Sequence, residues 1–271
     1  MDRWVSKVAL VTGASVGIGA QVTKMLAQKG MRVIAVARRL EKLEELAARI
    51  KREHKTEIYP MMCDVCKEED ILRVFKWADD KFGGVDVLVN NAGTVSNESI
   101  IDGSTEKYRA IMEVNVIAMA ICSREMSRSI KKRKTRGHII NMNSIMGHYG
   151  EAMVVSNSLY SASKYAVTGM SHSLRHEMIA AKLDIKVTSI SPGVVDTDMI
   201  RDFGVTPEML RGNSLQGQDI ADAMIYVLSA PSNVEVRLFK YNYTTFTIFL
   251  IREDMFAHGA AHICKHLHTD E

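Results

Sequence analysis

The sequence predicts an α/β protein: a single domain with a doubly wound parallel sheet of about seven strands and helices on both faces. Short apolar runs typical of buried parallel strands alternate with amphipathic stretches of helical spacing along most of the chain. Neither a low-complexity linker nor a repeat divides the 271 residues, of which only four are proline. Such an alternation favours right-handed crossovers onto one sheet.

The two periodicities of the sequence indicate where each element lies. Strands are expected at 8–11, 33–36, 58–62, 87–89, 139–142 and 185–190. Helices are expected at about 20–28, 40–53, 67–81, 104–131, 158–181 and 217–229. A seventh strand is expected at 234–238, where apolar and polar residues alternate. We therefore place one domain at 1–238 and treat 239–271 as an atypical C-terminal extension.

Composition and charge are those of a globular protein and argue against several other classes. Hydrophobic residues make up 46% and charged residues 25% of the chain, and a net charge of +3 does not indicate a nucleic-acid partner. The basic run at 131–136 is either a polyanion or localisation patch or, more commonly, a solvated helix end. No window reaches the ~18 apolar residues of a membrane span. The first residues run directly into a strand, which indicates no signal peptide and a cytoplasmic location.

The cysteines predict neither a disulfide framework nor a metal site. The chain has four, Cys63, Cys66, Cys122 and Cys264. The first two have CxxC spacing, but a zinc site would need a second pair of ligands and a redox site a different context. We interpret them as reduced thiols of the core or of a loop.

A glycine-rich loop joins the first strand to the first helix and indicates a dinucleotide-phosphate site. It contains Gly13, Gly17 and Gly19. The first glycine permits a sharp turn, the second lets backbone approach a pyrophosphate, and the third lets helix and strand pack closely. Unpaired amides at the helix N-terminus would face the anion. Because the loop lies in a strand–loop–helix unit, it is stronger evidence than a glycine cluster alone.

The end of the second strand indicates which dinucleotide binds. NAD sites usually carry an acidic residue there, which holds the ribose 2′-hydroxyl. This chain has Arg38 and Arg39 instead. Because a guanidinium forms bidentate, charge-assisted bonds with a phosphate, the sequence predicts NADP(H). The alternative is that the two arginines are only the solvated start of the next helix.

Further segments are expected to follow the cofactor along the carboxyl edge of the sheet. Asp64 and Val65 come after the third strand, where a carboxylate would lie beside the adenine. The segment 90–93 follows the fourth strand and supplies small residues near the nicotinamide half. Pro192 and Gly193 break the chain after the sixth strand, giving a loop to cover the nicotinamide.

Tyr160 and Lys164 are the strongest candidates for catalysis. A spacing of four on a predicted helix places both side chains on one face. A phenol has a pKa near 10 and is a poor base at neutral pH, but a nearby ammonium lowers that pKa and favours general acid/base use. Ser144 ends the fifth strand at the same edge, where its hydroxyl could bond a substrate carbonyl. Asn115, a poor helix former inside a predicted helix, could hold a water next to the lysine.

Together these motifs, in this order, resemble those of the classical short-chain dehydrogenase/reductase family. The resemblance extends from about residue 5 to 238 and implies a Rossmann-type fold. Several stretches resemble its farnesol-dehydrogenase-like and ketosteroid-reducing branch, at 1–4, 102–105, 137–141, 144–148 and 191–195.

Two features depart from the family pattern. Ser144 and Tyr160 are sixteen residues apart, which implies a longer intervening loop, and the end beyond about 238 differs from the family's short terminal strand.

The resemblance implies a role for each site residue. Tyr160 would be the general acid/base, Lys164 would lower its pKa and bind the nicotinamide ribose, Ser144 would position the carbonyl, and Asn115 would support a proton-relay water. The cofactor contacts expected from the residues and the family are Gly13, Ser15, Gly17, Ile18, Gly19, Arg38, Arg39, Asp64, Val65, Asn91, Ala92, Gly93, Tyr160, Lys164, Pro192, Gly193, Val195 and Thr197.

The leading hypothesis is an NADP(H)-dependent enzyme that interconverts an apolar alcohol and its aldehyde or ketone, farnesol being the substrate that the branch favours. A steroid or retinoid is the alternative substrate, and a non-catalytic dinucleotide-binding regulator is the alternative class. The resemblance also implies a homodimer or homotetramer. The expected substrate pocket is Ser144, Met146, His148, Met153, Val155, Tyr160, Met199 and Phe203.

The tail has a different pattern from the domain. Residues 241–251 are β-branched, aromatic and apolar, which predicts a segment at the sheet margin or subunit interface. Residues 255–271 lack an apolar stripe and are expected to be exposed. His258, His262 and His266 have the spacing of a metal site on one helix face, but an exposed His-rich segment is the preferred interpretation and no metal is predicted.

Overall fold

The computed structural model describes residues 1–149, 158–203, 205–206, 210 and 214–241. Its centre is a sheet of seven parallel strands in the order β3-β2-β1-β4-β5-β6-β7, flanked by helices. The predicted doubly wound α/β fold is therefore confirmed. The strands are β1 Val8–Thr12, β2 Arg32–Ala37, β3 Ile58–Met62, β4 Val87–Asn90, β5 Gly137–Met142, β6 Ile185–Pro192 and β7 Leu238–Tyr241.

The helices cover both faces of the sheet because successive strand residues point to opposite sides. On β1, Ala9 and Val11 belong to one buried cluster, whereas Val8 and Leu10 belong to the other. The first cluster packs on α1, α2 and α8, and the second packs on α3 and α5. The helices are α1 Gly17–Gln28, α2 Leu40–His54, α3 Glu68–Phe82, α4 Thr105–Met112, α5 Ala118–Arg133, α6 Tyr160–Ala180, α7 Asp198–Asp202 and α8 Gly217–Ser229.

The strand order reverses at the centre of the sheet and so locates the site. From β1 the chain moves outward through β2 to β3 and then returns to the other side of β1 with β4. The crossovers diverge at this point, which leaves a crevice above the carboxyl ends of β1 and β4. The glycine loop follows β1, so it opens into that crevice.

Two predicted elements differ from the structure. The seventh strand was expected at 234–238 but begins only at Leu238, because side chains from elsewhere bind the carbonyls of the preceding segment. Arg175 donates to Arg237, and Lys186 donates to Pro231 and Val234. The helix expected at 104–131 is divided by a π-helical turn at Glu113–Ile117.

The predicted extension begins inside the sheet, since β7 runs to Tyr241. The rest of the predicted apolar segment to 251, and His258, His262 and His266, lie outside the described residues. The domain boundary therefore stays a prediction. Within the described ranges no helix is long and apolar enough to cross a membrane, and no group of three or more potential metal ligands was found.

The basic run contains two arginines that have structural roles at the end of α5. Arg133 donates to the Asp86 carboxylate at 2.7 Å, and the same carboxylate accepts the Val8 amide at the start of β1. Arg136 pairs with Asp184 at 3.2 Å. These contacts support the interpretation of the run as a helix end.

Candidate active site

The phosphate loop requires glycine at two positions for different reasons. Gly13 has φ +64°, and a Cβ there would lie 2.8 Å from the Ala92 Cα. A Cβ on Gly19 would lie 2.3 Å from the Gly13 carbonyl oxygen, so a side chain would force helix α1 away from the loop. These positions confirm the sharp turn and the close packing that the sequence predicts, and they leave α1 starting at Gly17 with its amides toward the crevice.

We expect Gly19→Ala to disrupt the loop, because the methyl group meets backbone rather than a flexible side chain. Overpacking of this kind costs about 1–3 kcal/mol, and cofactor affinity should fall at least about ten-fold. Gly169→Ala is the matched control: that helical glycine has no atom within 4 Å of an added Cβ. It should raise the free energy of unfolding by roughly 0.5–1 kcal/mol. Denaturant unfolding measures the stability of each variant, and NADPH titration measures its cofactor affinity. Equal stability and equal affinity of Gly19→Ala and Gly169→Ala would contradict the packing argument.

The segment after β4 is locked to the phosphate loop by hydrogen bonds. The Thr12 hydroxyl accepts the amides of Asn91 and Ala92, each at 3.0 Å. The Asn91 side chain donates to the carbonyls of Thr12 at 2.9 Å and Gly13 at 3.1 Å. Asn91 therefore shapes the loop through its own side chain, and Thr12 is a supporting residue that the sequence reasoning missed.

One cavity of about 400 Å³ runs along the carboxyl edge of the sheet from β3 to β6. It brings together every predicted cofactor residue from Gly13 to Thr197, as well as Ser144, Met146, Met199 and Phe203 from the predicted substrate pocket. Met153 and Val155 lie outside the described residues. The lining residues that sequence reasoning did not assign are Val16, Ala37, Cys63, Cys66, Thr94, Ala110, Val114, Met142, Asn143, Ile145, Val194, Asp198 and Ile200.

Cationic side chains border one end of the cavity. Arg38 and Arg39 are exposed at the end of β2, and neither forms an ion pair with another described residue. Arg39 lies 3.4 Å from the Ser15 hydroxyl of the phosphate loop. Asp64 has its carboxylate occupied by the Cys66 amide at 3.1 Å. Two guanidiniums and a hydroxyl with spare bonding capacity fit a phosphate group at this position.

At the other end of the cavity Tyr160, Ser144 and Lys164 converge. Tyr160 is the first residue of α6, Lys164 lies one turn later, and Ser144 follows β5. The Lys164 ammonium donates to the Met142 carbonyl at 2.9 Å and lies 5.5 Å from the centre of the Tyr160 ring. All three side chains are buried. The tyrosine–lysine pair of the sequence is therefore a buried pair at the cavity, not a solvated helix pair.

Burial is the main influence on the pKa values of Tyr160 and Lys164. It raises the pKa of Tyr160 to about 12, although a hydrogen bond with Ser144 lowers it in part. Burial also lowers the pKa of Lys164 to about 8. Burial thus moves the pKa of Tyr160 in the direction opposite to the lowering that is expected from Lys164. The reason is that the phenol is desolvated while the ammonium is directed at a main-chain carbonyl.

Asn115 lies beneath the cavity in the π-helical turn and is fully buried. Its oxygen accepts the Thr94 amide at 2.8 Å, and its amide group donates to the Thr94 carbonyl and the Ser163 hydroxyl, each at 3.0 Å. All of its side-chain donors are occupied. The proton-relay water that the family implies beside Asn115 stays a prediction.

An apolar wall surrounds the phenol. The Phe203 ring meets the Tyr160 ring edge-on, with centroids 5.2 Å apart, and both belong to a buried apolar cluster. The cluster also contains Ile145, Met146, Val194 and Ile200, all of which line the cavity. This part of the site fits an apolar ligand better than a charged one.

His148 does not line the cavity, in contrast to its prediction as a pocket residue. The 3₁₀ turn Ile145–Gly147 directs its ring toward β6, where Nε2 lies 2.9 Å from the Ser191 hydroxyl. No sequence pattern signalled this contact, since the two residues are 43 positions apart.

The site and the fold define a class: a nicotinamide-dinucleotide-dependent oxidoreductase with a tyrosine–lysine pair at the carboxyl edge of a parallel sheet. The family model described as "short chain dehydrogenase" matches residues 7–207. This chain belongs to the short-chain dehydrogenase/reductase family, as the sequence motifs predicted.

Two relatives are similar over nearly their whole length. Farnesol dehydrogenase of Aedes aegypti is 45% identical over 240 residues, which cover 87% of this chain and 95% of that protein. Dehydrogenase/reductase SDR family member 11 of Gallus gallus is 44% identical over 249 residues, with the same two coverages. Both matches are consistent with the branch that the sequence resembles.

Two solved structures share the fold. A short-chain type dehydrogenase/reductase from Mycobacterium marinum has a TM-score of 0.81 at 25% identity and covers 88% of this chain and 95% of its own. The alcohol dehydrogenase of Thermococcus sibiricus, complexed with 5-hydroxy-NADP, has a TM-score of 0.76 at 27% identity and covers 88% and 97%.

Proposed function

We propose that this enzyme interconverts an apolar alcohol and its aldehyde or ketone with NADP(H), and that Tyr160 is its general acid/base. The observation that carries the proposal is one cavity with two chemically distinct ends. Arg38 and Arg39 border one end, and the buried group of Tyr160, Ser144 and Lys164 lies at the other within an apolar wall. A phosphorylated dinucleotide and an apolar carbonyl compound fit this division.

The residues that would hold the cofactor come mainly from the ends of five strands, β1, β2, β3, β4 and β6. The Gly13–Gly19 loop would take the pyrophosphate, and Arg38 and Arg39 the 2′-phosphate. Asp64 and Val65 would lie beside the adenine, while Gly93, Pro192 and Thr197 would lie beside the nicotinamide. The glycine loop supports this fit, because added side chains at Gly13 and Gly19 would displace its backbone. NADP specificity also agrees with the ligand of the Thermococcus sibiricus structure.

The side chains near the substrate account for the proton transfer. In the reduction direction, the Tyr160 hydroxyl gives its proton to the carbonyl oxygen, and the Ser144 hydroxyl holds that oxygen in place. When bound, the cofactor supplies the hydride that attacks the carbonyl carbon and accepts it again in the reverse direction. Lys164 would bind the nicotinamide ribose and favour the phenolate that remains.

Farnesol or its aldehyde is our preferred substrate. The apolar wall of Ile145, Met146, Ile200 and Phe203 supports a hydrocarbon chain, and farnesol dehydrogenase is the name of a relative with 45% identity. A ketosteroid or retinoid would use the same wall and is the alternative. A panel of farnesol, retinol and ketosteroids with NADP(H), followed by the absorbance of reduced nicotinamide, separates them.

A non-catalytic dinucleotide-binding regulator is the rival function on this fold. It would retain NADP(H) binding without turnover. The intact, buried group of Tyr160, Ser144 and Lys164 favours an enzyme, because a regulator has no need to bury a lysine. NADPH binding without turnover of any alcohol or carbonyl compound on the panel would favour the regulator.

For the cofactor preference we expect Arg38→Ala to raise the KM for NADPH about ten-fold or more, because a charge-assisted contact with a phosphate contributes on the order of 1.5–3 kcal/mol. The KM for NADH should change little, since NADH lacks the 2′-phosphate. Arg49→Ala removes an exposed arginine within α2 and is the control. Steady-state kinetics with both cofactors would refute the assignment if the NADPH/NADH preference stayed unchanged.

We also propose a homodimer or homotetramer and a cytoplasmic location. The first rests on the family, and the second is carried over as a prediction. Light scattering of the purified protein and imaging of a tagged chain test these two points.

A further inference from the structure

We propose that His148 is a positioning residue that ties the turn of Ser144 to the Pro192 and Gly193 segment beside the nicotinamide site, an inference that rests on the proposed function. The ring does not enter the cavity and contacts Ser191 instead, the residue directly before that segment. Three parts of the site meet at this residue: α6, the turn after β5 and the end of β6.

The main chain at His148 is held by the helix that carries the catalytic tyrosine. The Tyr165 hydroxyl donates to the His148 carbonyl at 2.7 Å, and the Thr168 hydroxyl donates to the Gly147 carbonyl at 2.9 Å. A Cβ on Gly147 would lie 2.6 Å from the Lys164 carbonyl oxygen. The turn therefore packs directly on α6 and cannot shift independently of Tyr160.

The imidazole provides the link to β6. Its Nε2 lies 2.9 Å from the Ser191 hydroxyl, which is completely buried. A buried hydroxyl that loses its partner is costly, so the contact restrains Ser191. The following residue, Pro192, is paired with Tyr241 of β7 but has no N–H to donate, so the main chain restrains it less than the other residues of the strand. His148 thus supplies a restraint close to Pro192 and Gly193, which line the cavity.

A second contact reinforces the first on the neighbouring strand. Lys240 donates to the Tyr149 hydroxyl at 3.1 Å and lies 4.7 Å from the centre of its ring. In the pairing of β6 with β7, Lys240 is opposite Ser191. Residues 148 and 149 are therefore bound to adjacent strands. Burial lowers the pKa of His148, with further lowering by Lys240 and His172, so the ring is held in its neutral form.

Hydride transfer depends on the distance between the nicotinamide and the carbonyl carbon, and a misplacement of ~1 Å can cost about 10²-fold in rate. Under the proposed function, Ser144 and Tyr160 would position the carbonyl, whereas Pro192 and Gly193 would border the nicotinamide. A residue that links Ser144 and Tyr160 to the segment of Pro192 and Gly193 should therefore affect kcat more than it affects the Kd for NADPH.

The test is a double-mutant cycle of His148→Ala and Ser191→Ala. Each single variant should lower kcat about ten-fold and raise the primary deuterium isotope effect on kcat, since chemistry becomes slower than product release. The Kd for NADPH should change less than about three-fold. The double variant should be no slower than the slower single variant. His148→Gln should recover most of the rate, because its amide reaches as far as Nε2.

Ser189→Ala and His176→Ala are the matched controls. Ser189 is buried on the same strand with a hydroxyl that has no partner among the described residues, and His176 is an exposed histidine of α6. Additive losses in the cycle, or a lower melting temperature with an unchanged kcat and isotope effect, would overturn the proposal. If the wild type reduces no carbonyl, the proposed function fails separately. In that case the fluorescence of bound NADPH tests the coupling between His148 and Ser191. Non-additive changes in this fluorescence across the double-mutant cycle support the coupling, and additive changes refute it.

Discussion

Tyr160→Phe is expected to abolish turnover and to leave NADPH binding close to that of the wild type. The ring, its packing against Phe203 and the fold all remain, and only the hydroxyl is lost, with its transferable proton and its hydrogen bond with Ser144. General acid/base catalysis contributes roughly 10²–10⁴-fold, so kcat should fall by about that factor. Steady-state rates with the best carbonyl substrate and NADPH fluorescence titration measure the two effects.

Tyr226→Phe is the control, because that tyrosine is 63% exposed on α8 and does not line the cavity. It should match the wild type in kcat and in NADPH affinity. Retention of more than about a tenth of wild-type kcat in Tyr160→Phe would exclude the tyrosine as the acid/base. A parallel loss of NADPH binding would mean that the phenol holds the cofactor instead.

Lys164→Met is expected to stabilise the cofactor-free protein at neutral pH while lowering kcat by roughly 10²-fold or more. The lysine is buried, and its pKa falls from 10.5 to about 8. Between these two values the unfolded chain binds more protons than the folded protein, so wild-type stability rises with pH across that window. Below about pH 8 the folded protein carries the full cost of a buried ammonium, on the order of 1–3 kcal/mol. Methionine is free of this cost.

The stability difference between Lys164→Met and wild type should therefore be largest below about pH 8 and shrink toward pH 10.5. The lost hydrogen bond to the Met142 carbonyl offsets part of the gain, by about 1 kcal/mol. Urea unfolding at several pH values measures the difference. The exposed Lys131→Met is the control and should show no such trend. A pH-independent difference would show that the ammonium is not desolvated.

The family resemblance, the fold class and the candidate site were largely predictable because their signals are local in the chain. The order of strands and helices follows from hydrophobic periodicity, and each strand prediction through β6 overlaps its observed strand. Gly13 and Gly19 were predictable because a turn and a close helix contact require glycine. Parallel strands place their carboxyl ends at one edge, so residues after β1, β2, β4, β5 and β6 could be expected in one cavity.

The remaining features depend on contacts between distant parts of the chain, which no local pattern in the sequence signals. The ring of His148 bonds Ser191 across 43 positions, and the side chain of Asn115 is closed off by Thr94 and Ser163. Desolvation, rather than the neighbouring lysine, sets the pKa of Tyr160 in the cofactor-free protein. Local patterns in the sequence predicted most of the polar groups that line the cavity, although not the direction of the His148 ring. Burial and long-range hydrogen bonding determined which way they point and which protonation state they hold.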